Sequence, residues 1–183
     1  DVNGDIFFNP SNEILSIYDK VNDARFDAYF FEDGSANERD EVIKYPGKPG
    51  LELLNDVKIF RVAEQYLIRA EAYANLNQFT DASADINTLR NARITGYVNQ
   101  NYTNTPDVEE EVLLERRREL AYEGHRFFDL KRLGRPIDRL AEDCFRVPNA
   151  CDMEAESYLF ALPIPQDEIF ASDMQQNPGY TSN

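Results

Sequence analysis

The 183 residues contain no tryptophan, a single histidine, two cysteines and no long apolar run, and each scarcity removes a class of chemistry. A zinc centre draws on several His and Cys donors, which His125 alone and the absence of a CxxC pair do not supply, so no metal or other cofactor is expected. A membrane-spanning helix needs about 20 consecutive apolar residues, and no segment approaches that length. Positive charge is also scarce: 19 Lys and Arg face 34 Asp and Glu, a formal net charge of −15. Nucleic-acid phosphates are gripped by accumulated Lys and Arg, so nucleic acid is not an expected partner. The chain opens DVNGDIFFNP, without Met, a basic leader region or an apolar leader core, and reads as a processed chain or a portion of a longer one. Cys144 and Cys151 sit in CFRVPNAC, where a disulfide is sterically feasible if the loop turns. Such a bridge would imply an oxidising compartment, and two unpaired thiols form the competing reading.

What is present is ordinary globular material, 42% hydrophobic and 29% charged, with ten Tyr and twelve Phe. The length suits one domain, taken as residues 1–183. FDAYFF and EVIKYP, separated by a polar connection, suggest a β-hairpin. From Asn55 the texture turns helical: DVKIFRVAEQYLIRAEAYANL places Phe60, Ala63, Leu67, Ala70 and Tyr73 or Ala74 on one stripe, with Asn55 or Asp56 as cap. After a short break, FTDASADINTLRNARI makes a second amphipathic helix stopping at Gly96. Helices so tightly joined pack antiparallel, with Ala70 and Ala82 at the close approach and Tyr66, Tyr73, Ile86 and Leu89 around it. This is tetratricopeptide-like spacing, although Arg69 stands where that motif prefers Leu, and only one clear copy is present.

A polar loop, residues 96–107, precedes a third helix starting at Asp107, whose Glu109, Glu110 and Glu111 suit the positive N-terminal end. Beyond KRLGRPIDRL the chain is loop-rich, and SYLFALPIP reads as an extended strip held by Pro163 and Pro165. The densest charge lies in ERRRELAYEGHRFFDLKRLGR, residues 115–135. A metal stripe would want a Glu-x-x-His step that is missing, and a catalytic carboxylate would want a raised pKa, whereas every acid here has a cation three residues away. The segment therefore reads as an ion-paired helix with an apolar stripe of Leu113, Leu120, Phe127 and Leu130, and Gly124 on that stripe implies a close packing contact or a bend.

Several pieces, in order, then resemble the SusD/RagB-like outer-membrane nutrient-binding lipoproteins of Bacteroidetes, in their C-terminal half. Asp23 and Arg25 in NDARFDAYF match an Asp-x-Arg segment, and VIKYPG resembles the piece that follows it. Arg61, Glu64, Tyr66, Leu67, Ala70, Glu71 and Ala72 match a helix signature, and Glu115, Arg116, Glu119, Leu120, Glu123, Gly124, Arg126, Asp129 and Arg132 a second one. LPIPQDEI and QNPGY close the chain as members close.

The resemblance implies a mainly α fold, with tetratricopeptide-like helix pairs, a small hairpin and long loops. It also implies noncatalytic capture of an oligosaccharide or other nutrient at the cell surface, for a SusC-like TonB-dependent barrel transporter. Membrane association would run only through a lipid anchor outside this chain, at the outer membrane. A tetratricopeptide-type scaffold binding a protein segment is the alternative. Tyr97, Asn99, Asn101 and Tyr102 in the polar loop are the first candidates for stacking on and hydrogen-bonding a sugar, because aromatic faces meet sugar C–H faces and amides meet hydroxyls. Phe7, Phe8, Phe30 and Phe31 are the second.

Overall fold

Ser11, Asp23 and Asn104 each precede a helix and accept a hydrogen bond from a backbone N–H of its first turn, as short polar caps do. The computed structural model describes residues 9–32, 40–51, 54–144 and 151–180. It divides into two compact units, one up to Arg126 and one from Phe127.

In the first unit, α1 (Asn12–Ser16) and α2 (Ala24–Tyr29) lead into a two-stranded antiparallel ribbon, β1 (Phe30–Phe31) and β2 (Glu41–Val42), in register Phe30 to Val42. The expected hairpin is present but short, because residues 26–29 of FDAYFF complete a capped helix and only the last two pair as strand. Ile14, Leu15, Tyr18, Phe26, Tyr29 and Phe30 form one apolar cluster, with the Tyr18 and Phe30 rings edge-on at 5.4 Å.

Helices α3 (Val62–Asn75), α4 (Phe79–Asn91) and α5 (Thr105–Glu119) form the second cluster, and α3 packs along both of the others. Ala63, Leu67, Ala70 and Ala74 bury one face of α3, and Ala82, Ile86 and Leu89 answer from α4. Ala70 and Ala82 are both fully buried, the small residues a close crossing needs, and burial of Leu67 or Ile86 contributes about 1.5–3 kcal/mol each. Asn77, left-handed at φ 58°, turns the chain between α3 and α4.

The helix cap expected at Asn55 or Asp56 is six or five residues early, since Arg61 is the residue that precedes α3. Arg61, the residue before α3, is extended, and Phe60 is 86% exposed rather than part of the stripe. The Arg61 guanidinium is drawn instead onto α5, where it donates to the Glu119 carbonyl at 2.7 Å. Likewise α4 stops at Asn91, ahead of Gly96 (φ 73°), and Asn104 rather than Asp107 caps α5.

The third expected helix does not run on through Gly124. It ends at Glu119, and Tyr122 (φ 62°) and Gly124 (φ 82°) turn the chain into α6 (His125–Arg132). A Cβ on Gly124 would meet nothing within 4 Å, so its requirement is backbone conformation and not close packing. Phe127 is 37% exposed, while Leu113, Leu120 and Leu130 are buried.

In the second unit the Phe127 ring lies 5.4 Å from Phe160, a bridge pairs Ile137 with Met153, and Cys144 and Cys151 are disulfide-bonded with Cα atoms 5.7 Å apart. Tyr158–Phe160 form one 3-10 turn rather than a strip, and α7 (Gln166–Ser172) follows Pro165. The Gln176 side chain clasps Ile164 by accepting from its N–H at 2.7 Å and donating to its carbonyl at 2.9 Å.

Candidate functional site

The charged segment turns inward. Glu115 and Glu119, adjacent turns on α5, have fully buried side chains. Arg25 reaches Glu115 at 2.6 Å and Glu119 at 3.1 Å while forking onto Asp23 at 2.7 and 2.9 Å. Arg90 binds Glu115 at 2.8 Å, Arg61 binds Glu119 at 2.5 Å, and Arg93 grips both oxygens of Glu119 at 3.0 Å. Burial alone would raise both carboxyl pKa values. Arg25 and Arg90 hold Glu115 below the ordinary carboxylate range, and Arg93, Arg25 and Arg61 do the same for Glu119. That direction is opposite to what a general acid requires. The cluster is scaffold, and it links α2, the start of α3, the end of α4 and α5.

The outer edge of this cluster walls a cleft of about 310 Å³, at the lower end of the range of roughly 300–1,000 Å³ for small-ligand pockets. Tyr45, Asn55, Asp56, Lys58, Tyr122 and Glu123 line it. One wall begins in YPGKPG, where Gly47 (φ 78°) and Gly50 (φ 73°) supply turns and Lys48 and Leu51 exchange backbone hydrogen bonds at 3.1 and 2.8 Å. Asn55 accepts from the Gly47 N–H at 2.9 Å, so its carbonyl oxygen is used and its amide N–H groups have no partner among the described residues.

The opposite wall is the turn between α5 and α6. Tyr45 donates its hydroxyl to the Tyr122 carbonyl at 3.1 Å, tying the walls together. Both residues remain partly exposed, 40% for Tyr45 and 43% for Tyr122, and the Tyr122 ring also meets Phe30 edge-on at 6.2 Å. Burial raises the Tyr122 hydroxyl to about 12, so it stays a neutral donor through the physiological range. Beneath, Lys44 donates to the Glu119 and Ala121 carbonyls at 3.2 and 2.7 Å and to Glu123 at 2.5 Å. Exposed aromatic faces beside an amide, an ammonium and a carboxylate suit a polyhydroxylated ligand.

In the loop expected to carry sugar contacts, the tyrosine hydroxyls have partners within the chain. Arg90 donates to the Tyr102 hydroxyl at 3.0 Å and lies 3.5 Å from that of Tyr97, which donates to Asn87 at 3.2 Å. The Tyr102 N–H is taken by Ser83 and Tyr102 packs on the α3–α4 cluster. Asn99 accepts from Asn91 at 2.7 Å, and Asn101 is exposed. Tyr97 and Tyr102 are thus brought together, on Arg90, while the two asparagines face outward. Of the second candidates, Phe30 is 3% exposed in the core and Phe31 is 52% exposed, while Phe7 and Phe8 lie outside the described residues. Sequence reading passed over Tyr45, Asn55 and Tyr122. The available signal was the double Pro-Gly turn in YPGKPG; nothing local in AYEG shows that Tyr122 meets it across 77 residues.

Comparison with known proteins completes the picture. The sequence model of the SusD family matches residues 53–180. The chain is 30% identical over 152 residues to the SusD-like protein P38 of Formosa agariphila, covering 74% of this chain and 30% of that protein. It is 37% identical over 127 residues to the starch-binding protein SusD of Bacteroides thetaiotaomicron, covering 68% and 22%. A solved SusD superfamily protein from Bacteroides thetaiotaomicron superposes with a TM-score of 0.75 at 29% identity, over 92% of this chain and 40% of that one. The chain spans less than a third of the length of the curated relatives it matches.

Proposed function

Because the chain belongs to the SusD family, we propose that it takes part in noncatalytic capture of an oligosaccharide, and that the cleft between Tyr45 and Tyr122 holds part of that ligand. The observation that carries this reading is the pair of exposed tyrosine rings fixed across the cleft by the Tyr45 hydroxyl, with the Asn55 amide beside them. The starch-binding relative supports a sugar as ligand. In the loop of residues 96–104, Asn99 and Asn101 are outlying contacts, and Tyr97 and Tyr102 shape the loop through Arg90.

Delivery goes to a SusC-like TonB-dependent barrel, from an outer-membrane lipoprotein whose lipid anchor lies outside this chain. The family resemblance supports this placement. Calorimetric titration with a panel of oligosaccharides tests the cleft: binding without release of new reducing ends is expected, and Tyr45→Ala weakens it at least about tenfold, the scale of a lost stacking contact. Turnover of the sugar by pure protein would sink the reading. Cross-linked outer membranes should yield a large barrel with the natural protein. Failure to recover one would move the tetratricopeptide-type scaffold into first place.

A further inference from the structure

Charge is balanced in the cleft, where Lys44 and Lys58 face Asp56 and Glu123, although the chain as a whole is acidic. The chain carries a formal −15, yet both carboxylates lining the cleft are already met by cations. Asp56 pairs with Lys48 at 2.8 Å, and Glu123 pairs with both Lys44 and Arg61 at 2.5 Å. The remaining lining cation, Lys58, is exposed and has no hydrogen-bond or ion-pair partner among the described residues.

Any ligand seated against Tyr45 and Tyr122 displaces water from this rim. A neutral sugar would strip hydration from an ammonium and return only hydroxyl contacts. A negatively charged sugar returns an ion pair where the neighbouring carboxylates are already engaged, so the loss is offset. The tyrosine faces discriminate poorly between neutral and anionic rings, because they meet the C–H face. Selectivity for charge therefore falls to Lys58.

We propose that the cleft selects an anionic glycan, one bearing a carboxylate or a sulfate ester, through the ammonium of Lys58, which has no partner among the described residues. This rests on the reading of the cleft as a glycan site. Carboxylate and sulfate share the relevant chemistry, a compact anionic oxygen group within reach of one ammonium, and the experiment separates them.

Purified protein is titrated calorimetrically, at low salt, with trigalacturonate and trimannuronate against their methyl esters, and with sulfated galactan oligosaccharides against desulfated ones. One anionic series is expected to bind about tenfold more tightly than its neutral counterpart, as for a hydrogen bond to a charged group. Added sodium chloride should shrink that preference. Lys58→Ala should bring the anionic-to-neutral ratio near one, Lys58→Arg should restore it and Lys58→Glu should invert it. Lys58 is exposed, so melting temperatures report that each variant is folded. The series showing the preference identifies carboxylate or sulfate.

Equal affinity for anionic and neutral partners, with both lost in Tyr45→Ala, overturns the charge selection and leaves the cleft standing. Binding indifferent to Tyr45→Ala overturns the cleft as well. Absence of binding by every anionic probe at millimolar concentration also overturns the inference.

Discussion

Helix α5 is buried by two different means along its length. Its N-terminal half presents Val108 and Val112, 0% and 1% exposed, to the Leu67 and Ile86 cluster. One turn on, Glu115 and Glu119 are as deeply buried but against Arg25, Arg61, Arg90, Arg93 and Arg118. The apolar half gains from area and tolerates rearrangement, because dispersion has no fixed direction. The charged half gains only if every partner is present, since two carboxylates and five guanidinium groups drawn out of water have no neutral way to coexist. The first half makes the helices associate, and the second dictates which segments meet and in which register.

Acid should separate the two halves most strongly. The folded-state pKa values of Glu115 and Glu119 lie below their unfolded values of about 4.3. Their contribution is therefore fully present above about pH 4.3 and is lost as pH falls through the folded pKa values. Denaturant titrations at descending pH should show a plateau at neutral pH and a steep decline in acid; a pH-independent midpoint would contradict the charged seam.

Glu119→Ala leaves three arginines facing an empty position and should cost about 3–5 kcal/mol in urea unfolding, the penalty for orphaning buried charge. Leu67→Ala, in the apolar half, should cost about 2–4 kcal/mol, scaled by how far α4 and α5 collapse onto the gap. Substitution of Gly124 should cost least. Gly124→Ala and Gly124→Leu should each lose about 1 kcal/mol, because the left-handed backbone is strained equally by either and no neighbour is crowded. A much larger loss for Leu, read as a lower melting temperature, would restore a packing role.

The apolar half was legible in the amino-acid pattern because its period repeats locally: Ala63, Leu67 and Ala70 recur at helical spacing wherever the chain goes. The charged half was legible only as density. Nearby opposite charges suggested pairs three residues apart, and Asp129 with Arg132 at 3.1 Å is one such pair. The pairing of Glu115 and Glu119 with Arg25 spans 90 and 94 residues, and no local pattern encodes such a distance. The same holds for the helix starts. Phe60 fits the periodic stripe, but Arg61, drawn to Glu119 and Glu123, is itself extended and the helix begins only at Val62. The surroundings of the loop tyrosines were hidden for a related reason: composition shows a ring and a hydroxyl but not which neighbour meets the hydroxyl, and Arg90 lies against those of Tyr97 and Tyr102.

Arg61 has one more consequence. It anchors the segment that follows Lys58 to α5, while the Asn55 side chain accepts from the N–H of the Gly47 turn. A segment fastened at both places would surrender little conformational entropy to any molecule entering the cleft, so the cost of immobilisation would fall mainly on that molecule. The buried charges thus preorganise the cleft: its ordering cost is met during folding, before anything enters it.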